Sequence, residues 1–447
     1  MAKDAFDLVI GLGVSGRSVI RYLADQGMPV RALDTRDAPA GLDELREQHP
    51  KLKIHTGGFK GSWMKRAQRL IVSPGVAVST PAIAEQIAEG KEVIGDIELF
   101  ARAASRPLVG ITGSNAKSTV VTLLGEVARA CDAKPGVGGN LGVPALDLLR
   151  EEAELADDVE LYVLELSSFQ LETTYSLNAQ VASILNLSQD HLDRYGKFSD
   201  YLAAKQRIYD GCQVAVWNRD DLATRPQTQV PREITFGSHP EAHYQLDTDK
   251  QMLCHQGETL LHVDELALTG HHNAMNVLAV LAMADALGFD RATTLATVKQ
   301  FKGLPHRCQL VAEDARIRWI NDSKATNVGA TLAALTGIGE AIEGRVILIA
   351  GGQGKGQDFS PLGEPARQYL RAALVLGQDA DKVADGLSGV PCERVADMAA
   401  AVKRAAQLAQ PGDAVLLSPA CASFDMYDSY VARGDDFSAR AREVTHG

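Results

Sequence analysis

A chain of 447 residues is longer than one hydrophobic core usually serves and points to two or three domains. Its 45% apolar and 23% charged content is that of a soluble globular protein, and a net charge of −12 argues against a general nucleic-acid or anionic-membrane binder. No apolar run approaches the ~20 residues that span a bilayer.

The N-terminal stretch MAKDAFDLVIGLG carries acids early and runs straight into a strand, so it does not read as a signal peptide. Further along, FDLVI, PVRALD, RLIVS, RPLVGIT, ELYVLEL, ASILNL, VILIAG, AALVLG and AVLLSP alternate with helical patterns, as expected of parallel sheets built from βαβ units. The fold class is therefore α/β, in three blocks. Residues 1–95 form the first, with KEVIGDIELF at its close. Residues 96–303 open with RPLVGIT and end where Gly303 and Pro305 interrupt a helical stretch that begins near Asn273. Residues 304–447 form the third, with VILIAGG near its start. Residues 218–262, rich in Thr, Gln, Pro and His, have the weakest periodicity and read as loops with a few strands. Six cysteines (131, 212, 254, 308, 392 and 421) are scattered without a C-x-x-C pair, which favours reduced thiols in a cytoplasmic protein.

Two glycine loops carry the chemistry. In GLGVSG, Gly11, Gly13 and Gly16 match G-x-G-x-x-G between a strand and a helix, and Asp34 ends the next strand. Taken alone this is a dinucleotide fingerprint. Bare amides at a helix start hold any anion, however, so the motif specifies a diphosphate more securely than a nicotinamide nucleotide. The plain alternative is a turn that packs helix on strand. In GITGSNAKST the form G-x-x-x-x-G-K-[ST] is nearly met, with Ala116 where the last glycine belongs. Lys117 would lie over the β- and γ-phosphates and Ser118 would ligate Mg²⁺, unless Lys117 simply sits at an exposed helix start. Glu165 ends the strand ELYVLEL, where a carboxylate can meet the cation of the loop. Two phosphate-type loops imply two different phosphorylated molecules.

GITGSNAKSTVVTLLGE, GVGGNLG, LELSSFQLETT, ILNLSQDHLDRYG, GHHNAMN, LPHR, NDSKATNVGAT, GGQGKGQDFSPL and LLSPACASFD occur in the order found in Mur ligases. The chain resembles that family from GLGVSG almost to its C-terminus. The family loop, G-[ST]-N-G-K-[ST], accounts for the misfit and leaves Ala116 as the departure. A methyl there requires the backbone to avoid positive φ or to accept strain of about 1 kcal/mol or more. The resemblance implies an N-terminal Rossmann-like domain for a UDP-sugar, a central P-loop ATP-binding α/β domain, and a C-terminal Rossmann-like domain that brings an amino acid. NDSKATN and SPACAS resemble the segments of the family member that adds D-glutamate to UDP-N-acetylmuramoyl-L-alanine, so the resemblance implies that activity. That activity implies a cytoplasmic ligase of peptidoglycan precursor synthesis, a monomer with small-molecule substrates and neither nucleic-acid nor membrane partners.

The resemblance also assigns residues. Val14, Ser15, Asp34, Thr35 and Arg36 would surround the uridine nucleotide, and Ser73, Pro74, Gly75, Asn140 and Ser167 would help hold the UDP-muramoyl substrate. ATP would engage Gly113, Ser114, Asn115, Lys117, Ser118 and Thr119, with Asn273, Asn276, His306, Arg307 and Asp322 about its adenine and ribose. Lys117, His191 and Lys205 would be catalytic; Ser118, Glu165, His191 and a carbamate on Lys205 would serve two Mg²⁺ ions. Carbamate formation needs a neutral amine, so burial should lower the Lys205 pKa, although helical spacing alone makes Lys205 an exposed charge. Thr326, Lys355 and Ser423, with Tyr430 through its backbone, would hold D-glutamate. The competing functions are an NAD-dependent dehydrogenase, another amide ligase of the same fold, and a nucleotide-dependent scaffold that Ala116 has inactivated.

Overall fold

The computed structural model describes residues 5–155, 159–268 and 270–446. They fall into two compact units: Met1–Leu187 with Ser199–Leu261 and Val277–Val298, and Ser188–Phe198 with His262–Asn276 and Lys299–Gly447.

The first unit contains two sheets. One comprises β1 (Asp7–Ile10), β2 (Val30–Leu33), β3 (Lys53–His55), β4 (Arg69–Val72) and β5 (Glu92–Ile94), in the order β3-β2-β1-β4-β5. All of its pairings are parallel. The other comprises β6 (Leu108–Thr112), β7 (Pro135–Gly139), β8 (Leu161–Glu165), β9 (Val181–Ile184), β10 (Val214–Asn218), β11 (Arg232–Gly237), β12 (Tyr244–Asp247), β13 (Met252–His255) and β14 (Glu258–His262). Its order is β14-β13-β12-β11-β10-β9-β6-β8-β7. β6 and β8 are buried along their whole length, which is why they read as continuous apolar runs. β7 begins with Pro135 and occupies the edge, where a missing amide costs least.

The two sheets of this unit share a core. Phe100, just past β5, meets Tyr162 of β8 edge-to-face with centroids 4.9 Å apart. Arg21, on the helix Val14–Asp25, forms a two-pronged pair with Asp147 at 2.5 and 3.3 Å.

The second unit is built on β15 (Gln309–Asp314), β16 (Ile317–Asn321), β17 (Val346–Gly351), β18 (Leu370–Leu376), β19 (Cys392–Arg394) and β20 (Ala414–Leu417). The order is β15-β16-β20-β17-β18-β19, parallel except for the β15–β16 hairpin. All six residues of β17 are buried, and each of its Ile and Leu side chains contributes about 1.5–3 kcal/mol relative to exposure.

One expectation needs correction. The helical stretch expected from Asn273 to Gly303 is two helices, His271–Leu287 and Arg291–Gln300, parted where Gly288 takes φ +79°. Residues 218–262 hold a few short strands among loops, as expected: β11 to β14 extend the second sheet, with β12 and β13 antiparallel. Their alternating exposure on short strands hides the signal, as in β12, where Tyr244 and Leu246 are buried and their neighbours are not. Among the described residues no helix is long and apolar enough to cross a membrane.

Candidate active site

The first loop follows β1. Two of its glycines are required by close approach: a Cβ on Gly16 would lie 1.8 Å from the Gly11 carbonyl oxygen, and one on Gly11 would meet the Ser73 Cβ at 2.9 Å, whereas a Cβ on Gly13 would meet nothing within 4 Å. Ser73 donates its hydroxyl to the same carbonyl at 2.7 Å, so it braces the loop from the end of β4. The helix that follows has no side-chain cap at Gly13, and Val14 and Gly13 face solvent there, a suitable anion seat. Asp34 is buried, and both of its oxygens are already engaged. It accepts from the Leu12 amide at 2.7 Å and from the Arg36 amide and guanidinium at 2.8–2.9 Å. Burial works to raise its pKa, but the hydrogen bonds from Arg36 and Leu12 win and hold it below the usual carboxylate range. An acid so occupied is a poor partner for a ribose hydroxyl, which weakens the dinucleotide reading. Thr35 and Arg36 are exposed beside it, as is Gly75, with Ser15 and Pro74 half-buried.

The second loop follows β6 and leads into the helix Lys117–Ala130, which has no side-chain cap. Ala116 occupies the left-handed region at φ +65° and ψ −4°, so the chain accepts the strain that a glycine would avoid. Gly113 takes φ +154°. Two amides expected to face phosphate are held within the protein: Ser114 N donates to Asn186 O at 2.9 Å and Asn115 N to Asn186 Oδ1 at 2.8 Å. Lys117 Nζ donates to the carbonyls of Gly113 and Ser114 at 2.8 and 2.9 Å, and Thr119 is buried in the first helical turn.

Sheet order brings the next residues together. β6, β8 and β7 are neighbours, with Ile111 opposite Glu165 and Glu165 opposite Gly139, so their C-terminal ends form one rim. There Ser118 Oγ donates to Glu165 Oε2 at 2.6 Å, and Asn140 Nδ2 donates to Glu165 Oε1 at 2.8 Å. Lys205, on the helix Phe198–Gln206, is 2% exposed, contrary to its helical spacing. Its Nζ donates to Thr112 Oγ1 at 3.1 Å and Gly113 O at 2.9 Å, and lies 4.9 Å from the Tyr201 ring centroid. Tyr201 Oη in turn meets Ser114 Oγ at 2.9 Å. Ser167 caps the short helix Ser168–Leu171 in a reciprocal box with Gln170.

The second unit holds the other candidates. His191 sits at φ +54°, its amide donating to Asp190 Oδ1 at 2.9 Å, while Asn327 Nδ2 reaches Asp190 Oδ2 at 3.3 Å. Asn276 Nδ2 donates to Asn273 Oδ1 at 3.2 Å. His306, also at positive φ, pairs with Asn321 at 3.0 Å, and Arg307 beside it is half-buried. Asp322 accepts from Ser418 Oγ at 2.8 Å and Cys308 N at 3.2 Å; burial pushes its carboxyl up to about 7 despite those donors. The Tyr430 carbonyl, expected to serve an amino acid, accepts from Ser323 Oγ at 2.7 Å. Lys324 lies over the Tyr430 ring at 4.1 Å, Lys355 takes φ +52°, Thr326 is half-buried and Ser423 is buried. The sequence reading did not single out Asn186, Tyr201, Asp190 or Asn327. Each stands within a motif that was noticed for another residue, and only the tertiary contacts distinguish it.

Residues 6–95 match the Mur ligase MurD-like N-terminal domain, residues 111–284 the Mur ligase middle domain, and residues 306–421 the Mur ligase glutamate ligase domain. The chain is 73% identical to the UDP-N-acetylmuramoylalanine--D-glutamate ligase of Alcanivorax borkumensis, over 100% of both chains. The chain belongs to the Mur ligase family. It is also 49% identical to the like-named protein of Pseudomonas aeruginosa, over 99% of each. Among solved structures, the UDP-N-acetylmuramate-alanine ligase MurC of Thermotoga maritima is 19% identical with a TM-score of 0.62, over 98% of this chain and 99% of its own. A pseudomurein peptide ligase type C from Methanothermus fervidus gives 19% and 0.60, over 92% and 96%. These share the three-domain α/β fold of this Mur ligase.

As a Mur ligase the protein is ATP-dependent, and ATP is used with Mg²⁺. The residues present fit that ion. Among the described residues no group of three or more His, Cys, Asp or Glu could hold a metal. Mg²⁺ needs no such cage: it is usually held by one or two carboxylates with nucleotide phosphates and water. Ser118 and Glu165 supply hard oxygen donors at the mouth of the loop.

Proposed function

We propose that this Mur ligase joins D-glutamate to UDP-N-acetylmuramoyl-L-alanine at the expense of ATP, in cytoplasmic peptidoglycan precursor synthesis, and works as a monomer. The observation that carries the choice of substrates is the 73% identity, along the full length, to a protein bearing that activity in its name.

The chemistry explains the residue types. A carboxylate and an amine do not condense in water, so the alanyl carboxylate first takes the γ-phosphoryl group of ATP and becomes an acyl phosphate. The amine of D-glutamate then attacks the acyl carbon, and phosphate leaves through a tetrahedral intermediate. The first step brings two anions together, so positive charge matters more than a protein nucleophile. Lys117 supplies one such charge, at the uncapped start of its helix. Ser118 and Glu165 would hold Mg²⁺, which when bound adds further neutralising charge.

Lys205 is the second metal-site candidate. Its neutral amine would add to CO₂ with loss of one proton, giving a carbamate anion, with Thr112 and Tyr201 to position it. His191 would serve a second Mg²⁺. GLGVSG, with Ser15, Arg36 and Ser73, would seat the UDP group, and Asn140 and Ser167 the muramoyl part. Lys355, Thr326 and Ser423 would receive the two carboxylates of D-glutamate, with Asn273, Asn276, His306, Arg307 and Asp322 about the nucleotide.

The test is a coupled assay with ATP, UDP-N-acetylmuramoyl-L-alanine and either D- or L-glutamate, read by product mass. Product with D-glutamate alone supports the reading. Product with L-glutamate, or ADP formed without any peptide product, would overturn it.

A further inference from the structure

The loop that carries Lys355 leaves β17 and turns between Gly354 and Gln357. Gln357 N donates to Gly354 O at 3.1 Å, and the residues between, Lys355 and Gly356, take φ +52° and +73°. Positive φ at both central positions is characteristic of a type I′ turn. Glycine accepts that conformation, whereas lysine is strained in it, so the turn has to be held. Its first end is held by Asp379, whose Oδ2 accepts from Gly354 N at 2.8 Å.

Its other end is held by a side chain. Gln357 Oε1 accepts from Val328 N at 3.0 Å, while Nε2 donates to Gly354 O at 3.0 Å and, more weakly, to Ala420 O at 3.4 Å. All of these partners are backbone groups. An N–H only donates and a C=O only accepts, so the side-chain amide has a single orientation, with both of its hydrogens used. Val328 is the first residue of the helix Val328–Ala341, whose cap Asn327 serves Ala330 N. Gln357 thus supplies an acceptor that the Val328 amide lacks within its own helix. Backbone pairing joins Gln353 to Ala422, the residue before Ser423. Gln357 adds a tie that this pairing does not make, from the lysine turn to the segment of Thr326, two residues before Val328.

We infer that Gln357 is a positioning residue for the acceptor amino acid: its amide holds the Lys355 turn against the start of the helix Val328–Ala341 and so sets the spacing between the Lys355 ammonium and the Thr326 hydroxyl. The inference rests on the proposed pocket for D-glutamate and deepens it. The carboxylates at the two ends of that acid are recognised by groups at a matching separation. Neither Lys355 nor Thr326 fixes the separation alone, because they stand on different segments of the chain. Gln357 touches no substrate; it acts through the turn.

The test is steady-state kinetics of the full chain carrying Gln357→Met, which keeps the length of the side chain and removes its bonds to Val328, Gly354 and Ala420. A charge-assisted hydrogen bond lost through misplacement corresponds to about 10-fold or more in affinity. KM for D-glutamate should rise by that factor, while KM for ATP and for UDP-N-acetylmuramoyl-L-alanine stay within about twofold. An unchanged KM for D-glutamate, or equal shifts for all the substrates, would overturn the inference, since a residue that only stabilises the fold has no reason to single out the acceptor. If Gln357→Met does not fold, Val328→Pro breaks the tie from the other side. Proline is favoured at a first helical position, and Asn327 before it is already extended at φ −141° and ψ 162°. That variant should give the same rise, confined to D-glutamate, and no rise would overturn the inference equally. A wild-type protein that makes no product from D-glutamate would instead remove the acceptor assignment, and the inference with it.

Discussion

Ser118 Oγ donates to Glu165 Oε2 at 2.6 Å, joining the first turn of the phosphate-loop helix to the end of β8. Parallel neighbouring strands, β6 and β8, bring the two residues together, although they are 47 positions apart in sequence. Glu165→Gln keeps the shape and an acceptor for Ser118 but removes the charge. Turnover should fall by roughly 10²-fold or more, with the circular-dichroism spectrum unchanged. A loss of less than tenfold at saturating Mg²⁺ would show that Glu165 is a structural residue.

Ala116 carries backbone strain at φ +65°. Relief of the left-handed conformation by Ala116→Gly is worth about 1–2 kcal/mol, against about 0.5–1 kcal/mol of added freedom in the unfolded chain. The variant should melt roughly 1–3 °C higher in a thermal scan. An unchanged or lower midpoint would mean that the surrounding loop has relaxed to fit the methyl.

Much of this was legible in the sequence. All nine apolar runs are strands, and those buried along their whole length, such as β6, β8 and β17, read most clearly because both of their faces must be apolar. Both glycine loops sit where a strand passes into a helix, as their motifs require. The sequence concealed where polar side chains spend their hydrogen bonds. Asp34 reads as a ribose ligand until Leu12 and Arg36 are seen to occupy both of its oxygens. Lys205 reads as a surface charge because it is one polar residue among several on a short helix, and only packing against β6 shows that it is buried. Asn186 has no signature of its own within the ILNLSQDHLDRYG motif; its role arises from β9 lying beside β6.

Burial pushes the Asp322 carboxyl up to about 7. Its unfolded value lies near the ordinary 3.8, so folding takes up a proton. The destabilisation is therefore absent below about pH 4, grows as pH rises, and is complete above about pH 7. Asp322→Asn should raise the melting temperature relative to wild type at pH 8, and the gain should shrink toward pH 5. A gain that is constant with pH, or larger at pH 5, would contradict the assignment.

Lys205 should carry a carbamate when CO₂ is present. Protein equilibrated with ¹³C-bicarbonate should show one slowly exchanging carbamate carbon resonance, absent from Lys205→Arg. A resonance that persists in the variant would place the modification elsewhere, and none in either protein would leave Lys205 an unmodified buried lysine.

The central claim is that fixed positive charge at the second loop makes phosphoryl transfer between two anions possible. Turnover of Lys117→Ala, measured with saturating ATP, Mg²⁺, UDP-N-acetylmuramoyl-L-alanine and D-glutamate, tests this most directly. The account predicts a fall of roughly 10³-fold or more in kcat in a folded protein. A kcat within tenfold of wild type would contradict it.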